Sequence, residues 1–298
     1  MRRVRDDHQP QSRLSGLPAP ALFVISGISL YLGSALGVRL FETVPAVGVA
    51  WLRLLTGAVV LVVWRRPWRD DWRVLRPRPG LPVPLRLLVG FGVVLAAMNL
   101  AYYLSIERLP LGTAVAIQFL GPIAVAATGT RTARDLVALL LAIAGIGLLL
   151  RVEIQLEGSG LPTGVLIALT AAAAWAVYIL LGRRVAAGGP GVDGLAVALL
   201  IGTVLTAPVG AAPGLSPLVD PRVALACLAV GLLSGAVPFV LEQAVLARIE
   251  PRRFALLTSL LPATAAVIGA VTLAQVPTLS QVTGLACVSA AVALQRPT

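Results

Sequence analysis

The sequence predicts an all-α membrane protein of ten transmembrane helices, arranged as two inverted repeats of five helices each. Hydrophobic residues make up 58% of the 298 residues and charged residues only 12%, about half of the roughly 25% that a soluble domain carries. Ten apolar segments follow one another, and each is long enough to cross a bilayer core of roughly 30 Å. Arginines cluster in alternate connections between these segments, which is the pattern that the positive-inside rule produces.

Each predicted span is bounded by connections in which apolar residues give way to charged residues, glycine or proline. A polar N-terminal tail precedes span 1, and the arginine-rich segment 65–85 separates spans 2 and 3. The later connections are short, so no soluble domain is expected between the spans. We place the spans at residues 18–40, 45–64, 86–106, 110–129, 134–151, 161–182, 194–213, 222–243, 252–273 and 277–294.

The distribution of arginine predicts the orientation of the spans. The chain has no lysine, so all 24 of its basic residues are arginine. With the N-terminus inside, 19 of them fall in cytoplasmic segments and one, Arg53, lies within a span. The other four lie at external ends: Arg39, Arg108, Arg151 and Arg222. Because cytoplasmic loops carry the excess of basic residues, we expect a multi-pass protein of the inner (plasma) membrane with both termini in the cytoplasm.

Several function classes are excluded by residues that the sequence lacks. The net charge of +11 follows from arginines between spans, so no nucleic-acid partner is expected. His8, the only histidine, lies in the polar tail, and Cys227 and Cys287 lie in apolar spans; we therefore expect no metal site and no cofactor. An ATP-binding loop of the G-x-x-x-x-G-K type needs a lysine. A membrane enzyme would need a nucleophile with a base, or paired carboxylates, and only one acid lies well within a span. The chain is not expected to be an enzyme.

Ten spans divide into two sets of five, and an odd number in each set forces opposite orientations, as in many secondary transporters. Sliding the sequence by 140 residues aligns Pro122 with Pro262 and Leu120 with Leu260. The two prolines would interrupt spans 4 and 9 at corresponding depths, which points to a central binding site. The alternative is that proline is simply tolerated in membrane helices, where neighbouring groups satisfy the freed backbone.

Two adjoining stretches, Met98–Ile106 and Pro110–Pro122, resemble the threonine/homoserine exporter branch of the EamA family, within the drug/metabolite transporter superfamily. Three shorter segments are also similar: Leu52–Leu54, Ala174–Leu180 and Val237–Glu242. The resemblance implies an EamA-type five-helix repeat at 18–151 and a second one at 161–294. It also implies export of small metabolites, above all amino acids such as threonine or homoserine, against a proton gradient.

The chain departs from this family pattern at three acidic positions. Members close to the named exporter tend to carry glutamate where Gln118, Leu261 and Gln275 stand here. The loss of these carboxylates weakens the expectation of proton coupling and of binding through an amino group. A broad drug/metabolite or nucleotide-type transporter of the same superfamily therefore stays open as the alternative, and a more apolar pocket is expected for it.

Polar and aromatic residues within the spans are the candidates for binding a substrate. Asn99 and Tyr103 are four residues apart and share one helix face, and Trp175 and Tyr178 are three apart in span 6. The full set of predicted substrate-binding residues is Asn99, Tyr103, Gln118, Trp175, Tyr178 and Thr258. The alternative for each residue is an interhelical hydrogen bond, worth only about 0.6 kcal/mol on average in membrane bundles.

Two charged residues fall well within the spans, Arg53 in span 2 and Glu242 in span 8. Each costs roughly 2.5–3.5 kcal/mol or more at mid-bilayer unless it is paired or hydrated, so both should face the bundle interior. Glu242 is either the proton-coupling site or a neutralising partner of Arg53. Tyr31 and Trp51 are assigned to the aromatic belts at the membrane surfaces. The expected partners are a small amino acid-like molecule and the lipid bilayer, with a homodimer left open.

Overall fold

The computed structural model describes residues 18–65, 85–127, 132–157, 163–187, 191–238, 241 and 261–294. Within these residues helices are joined by short turns and irregular segments, and there is no β-strand. The α-helices are α1 (Ala19–Leu40), α2 (Ala46–Arg65), α3 (Leu85–Ile106), α4 (Leu111–Gln118), α5 (Leu120–Ala127), α6 (Ala133–Glu157), α7 (Thr163–Ala187), α8 (Gly191–Leu215), α9 (Pro221–Gly231), α10 (Leu261–Leu273) and α11 (Leu279–Leu294). A 3₁₀ turn, Ser216–Val219, precedes α9, and a π-helical segment, Leu232–Ala236, follows it.

The described helices fit a membrane protein. By length and composition, α1, α2, α3, α7 and α8 can each cross a bilayer. The shorter apolar helices α9, α10 and α11 fall within predicted spans 8, 9 and 10. The prediction of an all-helical membrane protein is therefore confirmed.

Predicted span 4 is interrupted, and its two parts are α4 and α5. The break is at Phe119, whose backbone N–H donates both to the carbonyl of Val115 (3.1 Å) and to that of Ala116 (3.2 Å). Pro122 lies in the first turn of α5, and it has no N–H to offer the carbonyl of Gln118, four residues before it. Local sequence thus explains why the helix is discontinuous here.

The helices pack in a regular set of pairs. The most extensive contacts join α2 to α8, α6 to α11, and α3 to α7, and α3 also packs on α8. The α9 helix and the π-helical segment pack on α1 and α2, while α10 packs on α1 and α4. Helices α4 and α5 also contact α7.

Glycines allow close crossings at two pairs of helices, α6–α11 and α2–α8. A Cβ atom at Gly145 in α6 would lie 2.7 Å from the carbonyl oxygen of Gly284 in α11, and a Cβ at Gly284 would lie 2.7 Å from the carbonyl of Gly145. At the α2–α8 crossing, a Cβ at Gly48 would lie 2.8 Å from the backbone nitrogen of Gly214. Backbone therefore meets backbone at both crossings, a packing mode that small residues permit in membranes.

The opposite faces of these helices carry large apolar residues. On α6, Ala138, Ala142 and Leu149 are buried. The opposite side of α6 exposes Leu136, Leu140 and Ile143. Exposed side chains of this kind would cost free energy in water, and lipid is the solvent that suits them.

Trp51 corrects the assignment to an aromatic belt. It is only 7% exposed, and its Nε1 donates a hydrogen bond of 2.9 Å to the carbonyl oxygen of Thr203 in α8. The indole therefore joins α2 to α8 inside the bundle. A belt residue would instead present its polar edge to the lipid head groups.

Candidate functional site

A cavity of about 140 Å³ lies in the interior of the bundle. This volume is many times the roughly 10–15 Å³ that one water molecule needs. Among the described residues, its wall is formed by α1, α2, α3, α4, α7, the end of the α9–π helix, and α10. The lining residues are Leu30, Tyr31, Arg53, Met98, Asn99, Tyr102, Gln118, Trp175, Tyr178, Ser234, Pro238 and Leu261.

Arg53 is the charged group in the described part of this wall. Its Nε donates to the hydroxyl of Ser234 at 3.0 Å and to the carbonyl of Ser234 at 3.2 Å. Its Nη2 donates to the same carbonyl at 2.7 Å, and its Nη1 donates to Oδ1 of Asn99. The guanidinium carbon lies 5.7 Å from the centre of the Tyr103 ring, within the range of a cation–π contact. Arg53 therefore joins α2 to α3 and to the π-helical segment.

The π-helical segment is held on several sides at Ser234. The hydroxyl of Ser234 donates to the carbonyl of Val230 at 2.7 Å, and the hydroxyl of Tyr103 lies 3.1 Å from it. From α1, the Ser29 hydroxyl donates to the carbonyl of Leu233 at 2.8 Å. A Cβ atom at Gly33 would lie only 2.6 Å from the backbone nitrogen of Ser234, so α1 can approach because residue 33 is glycine. Single π turns within α-helices often occur at functional sites.

Asn99 is 2% exposed, and half of its amide group is unsatisfied. Its Oδ1 accepts the hydrogen bond from Arg53, and among the described residues its Nδ2 has no hydrogen-bond partner. A guanidinium can only donate, so the oxygen must face Arg53 and the NH₂ group must point elsewhere. Two donors are thus left in the interior beside a cation.

Aromatic residues of α7 form another part of the cavity wall. Trp175 makes an edge-to-face contact with Phe119, with ring centres 5.0 Å apart. Tyr178 stacks on Phe91 at the same 5.0 Å distance and an interplanar angle of 20°. These contacts fix the two rings, which also line the cavity. Fixed aromatic faces can receive an ammonium group through cation–π interactions.

A layer of tyrosines lies towards the C-terminal ends of α1 and α3. The hydroxyl of Tyr102 donates to that of Ser34 at 3.1 Å, and the rings of Tyr102 and Tyr103 meet edge to face at 5.5 Å. Phe41 contacts Tyr103 at 6.3 Å, and a Cβ at Gly37 would lie 3.0 Å from the same ring. This layer packs the bundle tightly on one side of Arg53.

The predicted site residues fall into four groups. Five of them line the cavity: Arg53, Asn99, Gln118, Trp175 and Tyr178. Tyr103 is fully buried and contacts Arg53 and Ser234 from behind the wall. Pro122 and Pro262 do not line the cavity, although Leu261 does. Glu242 and Thr258 lie outside the described residues. Within the described residues no cluster of metal-ligating side chains occurs.

Three polar residues of the site were missed from the sequence: Tyr31, Tyr102 and Ser234. Tyr31 lies near the middle of α1, lines the cavity and is only 3% exposed, so its assignment to an aromatic belt was wrong. Its distance from both span ends was the available signal. Tyr102 precedes a predicted site residue, and Ser234 is a small hydroxyl in an apolar span, so nothing local distinguished them.

A second cavity, of about 270 Å³, lies among α4, α10 and α11. Gln275, in the connection after α10, lines it, and its side-chain Oε1 accepts a hydrogen bond of 3.0 Å from the backbone N–H of Leu111 at the start of α4. Ala274, beside it, has a φ of 55°, a left-handed conformation that is uncommon for a residue other than glycine. The connection is thus folded onto the N-terminus of α4.

Comparison with known proteins gives three findings. Residues 162–295 match the EamA-like transporter family. The chain is 38% identical over 271 residues to the threonine/homoserine exporter RhtA of Salmonella typhimurium (strain LT2) and of Escherichia coli (strain K12), covering 91% of this chain and 88% of each exporter. A solved crystal structure aligns with a TM-score of 0.62 at 22% identity, over 92% of this chain and 95% of that chain, which shows a shared fold.

These matches confirm the family resemblance and the prediction of a transporter in place of an enzyme. They also agree with the apolar helices of membrane length, so the chain is a multi-pass membrane protein. With more than a third of its residues shared with two curated exporters over nine tenths of its length, the chain belongs to the EamA-like transporter family.

Proposed function

We propose that the chain is a secondary transporter of the inner membrane that exports small amino acids, of the threonine or homoserine type, from the cytoplasm. The observation that carries this proposal is the cavity inside the bundle, where Arg53, Asn99 and Gln118 share a wall with two aromatic rings. The 38% identity to threonine/homoserine exporters over 91% of the chain supports the substrate class.

We further propose ten spans in two inverted repeats, 18–151 and 161–294, with both termini in the cytoplasm. A two-fold relation between the repeats exchanges span 1 with span 6, span 2 with span 7, and so on. A contact between a span and its own counterpart is mapped onto itself by this relation, and α2–α8, α4–α10 and α6–α11 are contacts of this kind.

Several other contacts occur in matching pairs. Packing of α3 on α8 corresponds to packing of α9 and the π-helical segment on α2, and packing of α3 on α7 corresponds to that of α9 on α1. The contact of α1 with α10 corresponds to that of α4 and α5 with α7. The family match begins at residue 162, close to the start proposed for the second repeat. Both observations support the repeats.

Two features of the cavity favour an amino acid over a drug-sized substrate. Pockets for drug-sized ligands enclose roughly 300–1,000 Å³, whereas this cavity measures about 140 Å³. Its wall also offers a guanidinium, two amides and several hydroxyl groups, which suit a molecule with charges at both ends. A broad drug/metabolite or nucleotide-type transporter remains the second candidate, and it would need a larger and more apolar site.

Uptake of radiolabelled L-threonine into everted membrane vesicles tests the export activity, since export from the cell becomes uptake in this geometry. We expect uptake well above that of vesicles without the protein. We also expect excess unlabelled homoserine to inhibit this uptake by competition. A Gly147→Ala variant is a suitable control, because a Cβ atom there meets nothing within 4 Å. Equal uptake with and without the protein would contradict the proposal.

Proton coupling is tested in the same vesicles by imposing or collapsing a pH gradient. Glu242 is the acid that we place within a span, and a Glu242→Gln variant removes its titration. If Glu242 is the coupling site, the variant should lose gradient-driven uptake and keep exchange of labelled for unlabelled threonine. If it only neutralises Arg53, all transport modes and the protein yield should fall together. Full gradient-driven uptake by a stable variant would exclude both roles.

A further inference from the structure

The guanidinium of Arg53 retains donors that nothing in the described structure uses. The carbonyl of Ser234 accepts from both Nε and Nη2, so that edge of the group is occupied. Nη1 makes one hydrogen bond, to Asn99. Since each terminal nitrogen carries two hydrogens, one hydrogen on Nη1 and one on Nη2 remain. Arg53 also lines the cavity, so these donors belong to a group that a bound molecule can reach.

The charge of Arg53 is solvated but not neutralised by the described residues. Its partners there are a backbone carbonyl, a hydroxyl, an amide oxygen and an aromatic ring, all of them uncharged. The described ion pair, between Glu107 and Arg108 at 2.5 Å, lies on the surface at the end of α3. A guanidinium within a membrane is costly without a counter-charge. Since no described carboxylate neutralises Arg53, its electrostatic attraction is available to an anionic ligand.

Asn99 adds a second donor group beside the first. Its oxygen is fixed towards Arg53, and its Nδ2 is buried with no acceptor in the part of the chain that the structure describes. A buried amide left without a partner costs about 1–3 kcal/mol. A carboxylate has two oxygens and accepts several hydrogen bonds, so it can satisfy both the guanidinium and the amide.

We propose that Arg53 binds the carboxylate of the transported amino acid and that Asn99 completes this subsite. The inference rests on the proposed function and specifies how the cavity recognises its substrate. The ammonium end then lies against the part of the wall formed by Gln118 and the aromatic rings of α7. The substrate class is a small molecule with a free carboxylate, and the corresponding amides and esters are rejected.

A water molecule is the rival partner for Asn99. A third, very small cavity of about 10 Å³ is lined by Arg53, Asn99, Met98 and Gly235, among others. Its volume is close to the minimum of roughly 10–15 Å³ for one water. If a water there satisfies the amide, Asn99 has a structural role and contributes nothing to substrate choice.

The first test changes the ligand and leaves the protein intact. L-threoninamide keeps the ammonium, the hydroxyl and the shape of L-threonine but has no negative charge. In everted vesicles, we expect it to compete with labelled threonine about 10- to 100-fold less well than unlabelled threonine does, the range for losing hydrogen bonds to a charged group. Equal competition would overturn the inference while leaving threonine export intact. Absence of any threonine uptake would overturn both.

The second test introduces a carboxylate beside Arg53 within the protein, so that it occupies the position proposed for the carboxylate of the substrate. An Asn99→Asp substitution keeps the size of the side chain and places a carboxylate against the guanidinium. We expect a folded protein in which the apparent KM for threonine rises at least tenfold and the preference for threonine over threoninamide disappears. Arg108→Gln, which removes a surface arginine, is the matched control and should behave as wild type.

The two roles of Asn99 predict different outcomes for this variant. If Asn99 only holds a water, Asn99→Asp can change stability and the maximal rate but leaves the preference for threonine over threoninamide unchanged. Melting temperature and size-exclusion profile report folding separately. Should the variant fail to fold, the comparison of threonine with threoninamide on the wild-type protein still decides the question. An unchanged preference in a folded Asn99→Asp protein would overturn the subsite.

Discussion

At the α6–α11 crossing, Gly145 and Gly284 bring two backbones into direct contact, and a Cβ atom on either glycine would lie 2.7 Å from the other's carbonyl. At the cavity, α2, α3 and the π-helical segment leave space between them and are joined by the side chain of Arg53. The first region depends on shape, because no side chain fits between the helices. The second depends on hydrogen bonds from one long side chain.

The α6–α11 crossing and the cavity differ in how freely their helices can move. Two backbones in contact have one arrangement, and sliding one helix past the other would drive atoms into each other. The bonds of Arg53 to Ser234 and Asn99 can exchange for bonds to a ligand, with the helices shifting as they do. Alternating access requires a rigid part and a part that rearranges around the substrate. The crossing and the cavity have the properties of these two parts.

The largest loss of stability is expected from a substitution at the α6–α11 crossing. Gly145→Leu forces a side chain into a backbone–backbone contact, and overpacking of a core already costs about 1–3 kcal/mol when side chains can shift. Here the obstacle is backbone, so we expect a loss of folded protein, measured as the monodisperse fraction in size-exclusion chromatography and as a lower melting temperature.

Gly147→Leu is the matched control for this substitution. Gly147 lies two residues further along α6, and a Cβ there meets nothing within 4 Å. The same change at that position should leave folding unaltered. If both leucine variants behave alike, the crossing does not depend on the contact between the two glycines.

An intermediate effect is expected where α1 meets the π-helical segment. In Gly33→Ala the new methyl group would lie 2.6 Å from the backbone nitrogen of Ser234, so the segment must move and its bonds to Arg53 must lengthen. We expect a stability loss of about 1–3 kcal/mol and a larger fall in threonine uptake than the loss of protein explains.

Gly90→Ala controls for this change, because its Cβ meets nothing within 4 Å. Uptake per folded molecule separates an effect on the cavity from a general loss of protein. A Gly33→Ala variant with wild-type uptake per molecule would mean that the position of Ser234 does not matter for transport.

The sequence predicts those features of the two regions that are local. Span positions follow from hydrophobicity, and Asn99 and Tyr103 share a face because four residues make about one turn. Arg53 was correctly expected inside the bundle, since its charge is too costly to face lipid. Pro122 marked span 4, and the helix is interrupted three residues before it, at Phe119.

The features that the sequence did not reveal depend on contacts distant along the chain. Ser234 matters because α2 brings Arg53 to it across 181 positions. The π-helical turn has the ordinary apolar composition Leu-Leu-Ser-Gly-Ala, so no residue type announces it. Trp51 was placed at a membrane surface because it lies near the start of span 2. Its partner, the carbonyl of Thr203, belongs to another helix, so local sequence could not indicate the bond.

A smaller effect is expected at Trp51, where the α2–α8 crossing combines both kinds of contact. Trp51→Phe keeps an aromatic ring at the position that packs against Gly210 but removes the donor to Thr203. We expect a stability loss of about 1 kcal/mol, the usual net value of a hydrogen bond, and unchanged selectivity for threonine over threoninamide. A change in that selectivity would show that the crossing and the cavity are not separate regions.

The smallest effect on stability is expected at Gln275, in the connection between α10 and α11. Its Oε1 accepts from the backbone N–H of Leu111 at the N-terminus of α4, where helix N–H groups have no partners within the helix. Gln275→Ala removes this acceptor and should cost about 0.5–1 kcal/mol, at the lower end of the range for losing a helix cap. Gln275→Glu keeps an acceptor oxygen and adds a negative charge near the positive end of the helix dipole, an interaction worth about 0.3–1 kcal/mol.

The melting temperatures should therefore rank alanine below wild type and glutamate at or above it. Threonine uptake should be unchanged in both variants if the connection after α10 only holds α4 in place. A glutamate variant that melts below the alanine variant would show that the bond to Leu111 does not stabilise this end of the bundle, and a loss of uptake in a stable alanine variant would extend the rearranging part from the cavity to this connection.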